Sequence, residues 1–280
     1  MKREILSEII AYLFLVLIAV GLVRWIFKKL FRNHTSLIII LRFWTFLRQP
    51  YYTDHAVPVS VTPLRWLWQL FKVDFGITFF AAIISVTLTK LIERLTFLNF
   101  HEDHVYSTPY QALFFLVIFA PIIEEGLFRL SLRLSPFNFA PMIGLIGMYL
   151  FLPILSSWFQ PNTYIVLAVV FCMLFVPMLV LVTRQAFIME WLYPRFKKHF
   201  RWIYYFSSIS FGFIHLSNFE NTTLFHYLLI VLLTLPQLCS GFFLGYVRMR
   251  YGIGYSIGLH ALNNLVPGLL YVFSHRTELF

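Results

Sequence analysis

Long apolar runs separated by short polar links dominate this chain, and their length matches a bilayer better than a soluble core. A hydrocarbon layer of about 30 Å takes roughly 20 helical residues to cross. Eight segments approach that length: 5–23, 75–91, 110–131, 139–159, 163–182, 202–216, 224–247 and 252–273. The pattern predicts an all-α polytopic membrane protein, a bundle of about eight transmembrane helices. The first run follows Lys2 and Arg3 as a signal sequence would, but no small-residue cleavage site ends it, so it reads as a retained helix.

The links carry the orientation. With eight spans they alternate between two sides, and 17 of the 22 basic residues fall on one side against 5 on the other. Cytoplasmic loops collect Lys and Arg, so both termini are expected outside the cytoplasm. The long cytoplasmic link from Arg24 to Asp74 holds two amphipathic pieces. Residues 37–47 are too short to cross, and 63–75 set Trp66, Trp68 and Phe71 among Arg65, Lys72 and Asp74. Both are expected as interfacial helices. With no repeat and no low-complexity tract, the chain reads as one integrated membrane domain.

Composition agrees and narrows the classes. Of 280 residues, 60% are hydrophobic, 20% aromatic and only 12% charged, against roughly 25% charged in soluble domains. A soluble globular protein is excluded. The net charge of +10 is not gathered in a soluble basic module, so no nucleic-acid partner is expected. Cys172 and Cys239 lie in apolar runs and imply no disulfide framework.

Polar residues inside such runs are the candidates for chemistry. Ten of the twelve acids fall in termini, loops or helix ends, which leaves Glu124 and Glu125 after the apolar run 110–123. A carboxylate in the bilayer costs about 2.5–3.5 kcal/mol on insertion scales, so such a pair is expected to be paired, protonated or catalytic. Neighbouring helical residues point about 100° apart. Glu125 stands four residues before Arg129, the spacing of a same-face ion pair, while Glu124 faces elsewhere in the bundle. Three His also lie in apolar runs. His226 reads as a packed residue; His215 follows Gly212, and His260 shares a helix face with Asn264 at i+4. Such polar pairs serve either as interhelical glue or as the lining of a wet site.

Several chemistries are excluded by missing motifs. The chain has no His-Glu-x-x-His helix, nucleophile elbow, P-loop or dinucleotide fingerprint. The cluster His101-Glu102-Asp103-His104 falls in an outer loop and reads as solvated.

Three motifs in order carry a resemblance. Glu124-Glu125-Gly126-Leu127-Phe128-Arg129 resembles EExxxR, Phe211-Gly212-Phe213-Ile214-His215 resembles FxxxH, and His260-Ala261-Leu262-Asn263-Asn264 resembles HxxxN. Together they resemble the CPBP intramembrane proteases, or Abi family, which includes type II CAAX prenyl endopeptidases and bacteriocin-processing enzymes. The resemblance covers roughly 110–270. One departure is Leu130, where many bacterial members have Gly after the motif Arg.

The resemblance implies a CPBP-like catalytic core over 101–280, preceded over 1–100 by an anchor helix, the interfacial segment and a second transmembrane helix. It implies an intramembrane endopeptidase acting near the cytoplasmic face of a bacterial inner membrane on a membrane-associated peptide or protein. By the same analogy Glu124 is the general base and His215 holds the same water. His260 and Asn264 serve the oxyanion, and Glu125 with Arg129 support the site. No cofactor is expected, although Glu124, His215 and His260 could instead hold Zn²⁺. A non-catalytic scaffold or immunity protein that binds a protein partner is the alternative from another class.

Overall fold

The computed structural model describes residues 34–58, 62–96, 100, 108–140, 176–219 and 224–274, with isolated positions 21, 24, 28, 143 and 147. Among the described residues the regular structure is helical and there is no strand. Its helices are α1 (His34–Arg48), α2 (Pro63–Thr96), α3 (Pro109–Phe114), α4 (Ala120–Phe128), α5 (Ala186–Ile214), α6 (Leu224–Leu228), α7 (Ile230–Leu233), α8 (Leu235–Tyr251) and α9 (Ile253–Ser274). A π-helical turn, Phe115–Phe119, joins α3 to α4. Among the described residues two stretches are long and apolar enough to cross a membrane, Pro63–Arg94 in α2 and Ile253–Ser274 in α9. The expected spans 5–23, 139–159 and 163–182 fall wholly or mostly outside the described residues, as do Cys172 and the 101–104 cluster.

Two expectations need correction. The interfacial piece 63–75 and the span 75–91 form one continuous helix, α2, because no glycine or proline cap separates them and Gly76 alone does not stop a helix with apolar neighbours on both sides. At 34 residues α2 is about 50 Å long, well beyond one hydrocarbon thickness. The expected span 224–247 is divided into α6, α7 and α8. The hydroxyl of Thr234 donates to the Ile230 carbonyl at 2.6 Å and competes with the backbone ladder. Pro236 then has no N–H to continue the old helix and suits the first turn of a new one.

The chain divides into two compact units, neither continuous in sequence. One contains 1–45, 60–105 and 211–243. Its core gathers Phe100, Leu216, Phe219 and Leu233, with Ile92, Leu229 and Ile230 packed on them. Ser85 ties α2 to α7 by donating to the Leu232 carbonyl at 2.8 Å. Gly212 lets α5 approach α8 closely, since a Cβ there would lie 3.0 Å from the Leu238 Cα. Asp74 is fully buried along α2, so a third acid on an apolar helix joins the two that stood out in the sequence.

The other unit contains 46–59, 106–210 and 244–280. Phe46 packs edge-on against Tyr204 at 5.1 Å and lies 5.5 Å from Tyr246. Helix α3 opens on Thr108, whose side chain accepts the Gln111 N–H, with Pro109 preset for the first turn. Helix α8 closes at Gly252, whose φ of +105° places it in the left-handed region and whose N–H returns to Arg248 O at 3.1 Å. Phe114, Ile118, Phe119 and Ile122 are exposed on the stretch from α3 to α4, whereas Pro121 and Glu125 are buried. A large apolar outer surface of this kind suits lipid better than water.

Candidate active site

Helix α9 carries Ser256, His260, Asn264 and Gly268 at four-residue intervals, which puts them on one face. Each meets the stretch 109–128 at a different height. Gly268 lies against Leu113, Leu116 and Val117, where a Cβ would come within 3.1 Å of Leu113 Cδ1. Asn264 Nδ2 donates to the Leu116 carbonyl at 2.9 Å. His260 and Ser256 reach the two glutamates at the far end.

Glu125 is fully buried and has three partners. Its Oε1 lies 3.1 Å from His260 Nδ1 and 3.4 Å from Arg129 Nη1, and its Oε2 accepts from the Ser256 hydroxyl. Arg129 is also fully buried. A carboxylate paired with a guanidinium only accepts hydrogen bonds, so His260 Nδ1 carries the hydrogen and Nε2 is the nitrogen turned to Glu124. That nitrogen stands 3.7 Å from Glu124 Oε2, and Glu124 keeps 27% of its side-chain surface exposed. Two adjacent carboxylates thus occupy different environments: one enclosed in a charged network, the other at its edge beside an imidazole.

A family model described as type II CAAX prenyl endopeptidase Rce1-like matches residues 106–266, more than half of the chain. The chain belongs to that family. No curated protein and no solved structure matches it. Rce1-like proteins are membrane-embedded proteases, in agreement with the resemblance carried by the three motifs and with the two apolar helices.

The matched region of this Rce1-like chain includes every candidate residue, and one unit holds Glu124, Glu125, Arg129, His260 and Asn264. His215 belongs to the other unit, in a 3₁₀ turn (His215–Asn218) that follows α5. Its Nδ1 lies 2.8 Å from the Phe211 carbonyl, which fixes the hydrogen there and makes Nε2 the acceptor of the neutral ring. The side chain of His226 lies outside the described residues.

A catalytic zinc takes three protein ligands at about 2 Å, and among the described residues no group of three or more His, Cys, Asp or Glu is arranged to hold a metal ion.

Two supporting residues were invisible to the motif reading. Ser256 stands one turn before His260, and that spacing is the one signal that could have found it. Arg248 counts as a cytoplasmic charge in the sequence, yet it is 4% exposed. Its Nε donates to Arg129 O and its Nη2 to Leu130 O, both at 3.0 Å. These carbonyls lie where α4 gives way to a short 3₁₀ turn, Leu130–Leu132, whose Leu132 N–H also bonds Arg129 O at 3.2 Å, so Arg248 reinforces the end of the helix that carries both glutamates.

Proposed function

We propose that this chain is an intramembrane endopeptidase that hydrolyses a peptide bond of a membrane-associated substrate near the cytoplasmic face, with Glu124 activating the water. The observation that supports this reading is the division of labour between the adjacent carboxylates. Glu125 is committed to Arg129, His260 and Ser256, whereas Glu124 stays accessible, 3.7 Å from His260 Nε2.

Glu124 takes a proton from water, the resulting hydroxide adds to the scissile carbonyl, and the oxyanion needs hydrogen-bond donors. Asn264 supplies its second amide hydrogen, and His260 supplies Nε2–H when the ring is protonated. The C–N bond then breaks as Glu124 returns its proton to the leaving amine. Glu125 and Arg129 fix the orientation of His260, as a buried acid fixes the imidazole of a hydrolase. The site belongs to a multi-pass protein of a bacterial inner membrane with both termini outside the cytoplasm.

Reconstituted protein tests this directly, with peptides anchored in phospholipid nanodiscs, prenylated or unprenylated at the C-terminus, and a mass-spectrometric readout of cleavage. Glu124→Gln is expected to slow cleavage roughly 100- to 10,000-fold with an unchanged melting temperature. Full cleavage in that variant rejects Glu124 as the base, and absence of cleavage by the wild type rejects the protease reading and favours a scaffold that acts by binding. Loss of wild-type cleavage on chelation, restored by Zn²⁺, transfers water activation from glutamate alone to a metal.

A further inference from the structure

The helix that carries the glutamates contains an irregularity that its sequence explains. At the π turn Ala120 sends its N–H back five residues, to Phe115 O, in place of the usual four. The next acceptor in that register is Leu116 O, and the next donor would be residue 121. That residue is Pro121, which has no N–H. Leu116 O therefore loses its donor in the five-residue register, and in the four-residue register its donor would be the Ala120 N–H already spent on Phe115. The donor it does receive comes from another helix: Asn264 Nδ2, at 2.9 Å.

We propose that Asn264 is a positioning residue for Glu124, holding the π turn of the glutamate helix by supplying the N–H that Pro121 lacks. The proposal rests on the protease reading only for its effect on turnover. Its structural part stands apart, on Asn264, Leu116 and Pro121.

The consequence is geometric. A π turn inserts one residue into the ladder, so its loss rotates everything beyond it by about 100° relative to what precedes it. The part before the turn is fixed by Leu113 against Gly268, and the part after it by Glu125 against His260 and Ser256. Asn264 lies between those anchors on the same face of α9. If the turn relaxes, Glu124 and Glu125 exchange directions toward His260, and the carboxylate beside the imidazole is no longer the accessible one. The amide of Asn264 has two hydrogens, so one can hold Leu116 O while the other serves the oxyanion.

The test is a double-mutant cycle on Asn264→Ala and Pro121→Ala, read by melting temperature in detergent and by kcat and KM on a cleaved peptide. Alanine at 121 restores a backbone donor for Leu116 O and makes Asn264 dispensable there. With Pro121 present, Asn264→Ala is expected to lower the melting temperature and reduce kcat about tenfold or more, with KM little changed. With Ala at 121 the same replacement is expected to leave the melting temperature unchanged and to reduce kcat by a factor at least about threefold smaller than with Pro121 present, the remaining loss being that of the oxyanion contact. Equal losses in both backgrounds overturn the proposal. Recovery of melting temperature without any recovery of kcat overturns its positioning part. Asn264→Leu repeats the cycle with a side chain of nearly the same shape that has no donor. If no peptide is cleaved even by wild type, the protease reading fails, and the melting temperatures still decide whether Asn264 holds the turn.

Discussion

Two clusters in the same unit pair an acid with a base at the same separation, and their surroundings give that separation opposite meanings. At the surface, Lys197 Nζ lies 3.4 Å from Asp54 Oδ2, with 43% and 44% of the two side chains exposed. Tyr193 also donates its hydroxyl to Asp54, and the ammonium sits over the Tyr193 ring at 4.6 Å. Inside, Arg129 Nη1 lies 3.4 Å from Glu125 Oε1 with neither side chain exposed. Water and salt screen the outer pair, so either partner left alone is simply solvated. The inner charges have given up their hydration, and each depends on the other to remain ionised where it is. Distance alone says little about what an ion pair does. At the surface it trims a loop; in the interior it fixes the orientation of an imidazole through Glu125.

The inner pair offers the largest effect. Arg129→Leu strands the Glu125 carboxylate and is expected to cost about 3–5 kcal/mol of stability, seen as a collapse of the melting temperature in detergent. Replacing Glu125 and Arg129 together by Leu removes both charges and should recover most of that loss, since apolar side chains of similar volume substitute well for a buried pair. Cleavage should stay low in the double variant, because His260 Nδ1 has lost its acceptor. A single substitution that costs under about 1 kcal/mol would place the inner pair in the same class as the outer one.

How much of this was legible in advance depends on whether a partner lies on the same helix. Glu125 and Arg129 stand four residues apart, and the ion pair is there. His260 and Asn264 share a face for the same reason, and both meet the helix of the EExxxR motif. Partners across helices were not legible. Glu125 was assigned to Arg129 alone, yet it also holds His260 and Ser256. Arg248 is one of the basic residues on the cytoplasmic side in the sequence, and a tally of charges does not tell a guanidinium bonded to a helix end from one in water. Pro121 sat inside a predicted span without comment, since its effect appears only when the orphaned carbonyl is followed to Asn264. On α2 and on 224–247, hydropathy measured apolar content correctly but located neither continuity nor breaks, which depend on Thr234, Pro236 and the absence of a cap near residue 75.

Arg248 offers a middle case: charged like Lys197, buried like Arg129, but bonded to carbonyls rather than to an acid. Arg248→Ala removes the side-chain donor of Leu130 O and one of the two donors of Arg129 O, which Leu132 N–H also bonds, and is expected to cost about 2 kcal/mol, measured by thermal denaturation. Arg248→Lys reaches one carbonyl at a time and should recover part of the loss. Equal melting temperatures for wild type and Arg248→Ala would mean that water satisfies those carbonyls, which makes the end of α4 an exterior feature.

The outer pair gives the smallest effect, and its sign is set by pH. The Tyr193 hydroxyl first, and Lys197 after it, hold the Asp54 carboxyl below the usual carboxylate range. A carboxyl whose folded pKa is depressed stabilises the fold fully above its unfolded value of about 3.9, and that contribution disappears as the pH falls through the lower folded value. Lys197 is displaced the other way, upward, first by Tyr193 and then by Asp54, so its share persists through neutral pH and is lost only as the pH rises through the raised folded value. Between these limits Asp54→Asn should lower the melting temperature only slightly, and raising the salt concentration should narrow the gap to wild type. The gap should close as the pH falls through the depressed folded value, where the wild-type carboxyl is itself protonated. A gap that persists there, or that salt leaves unchanged, would assign the effect of Asp54 to its neutral hydrogen bond with Tyr193 and remove the outer cluster as the screened counterpart of the inner one.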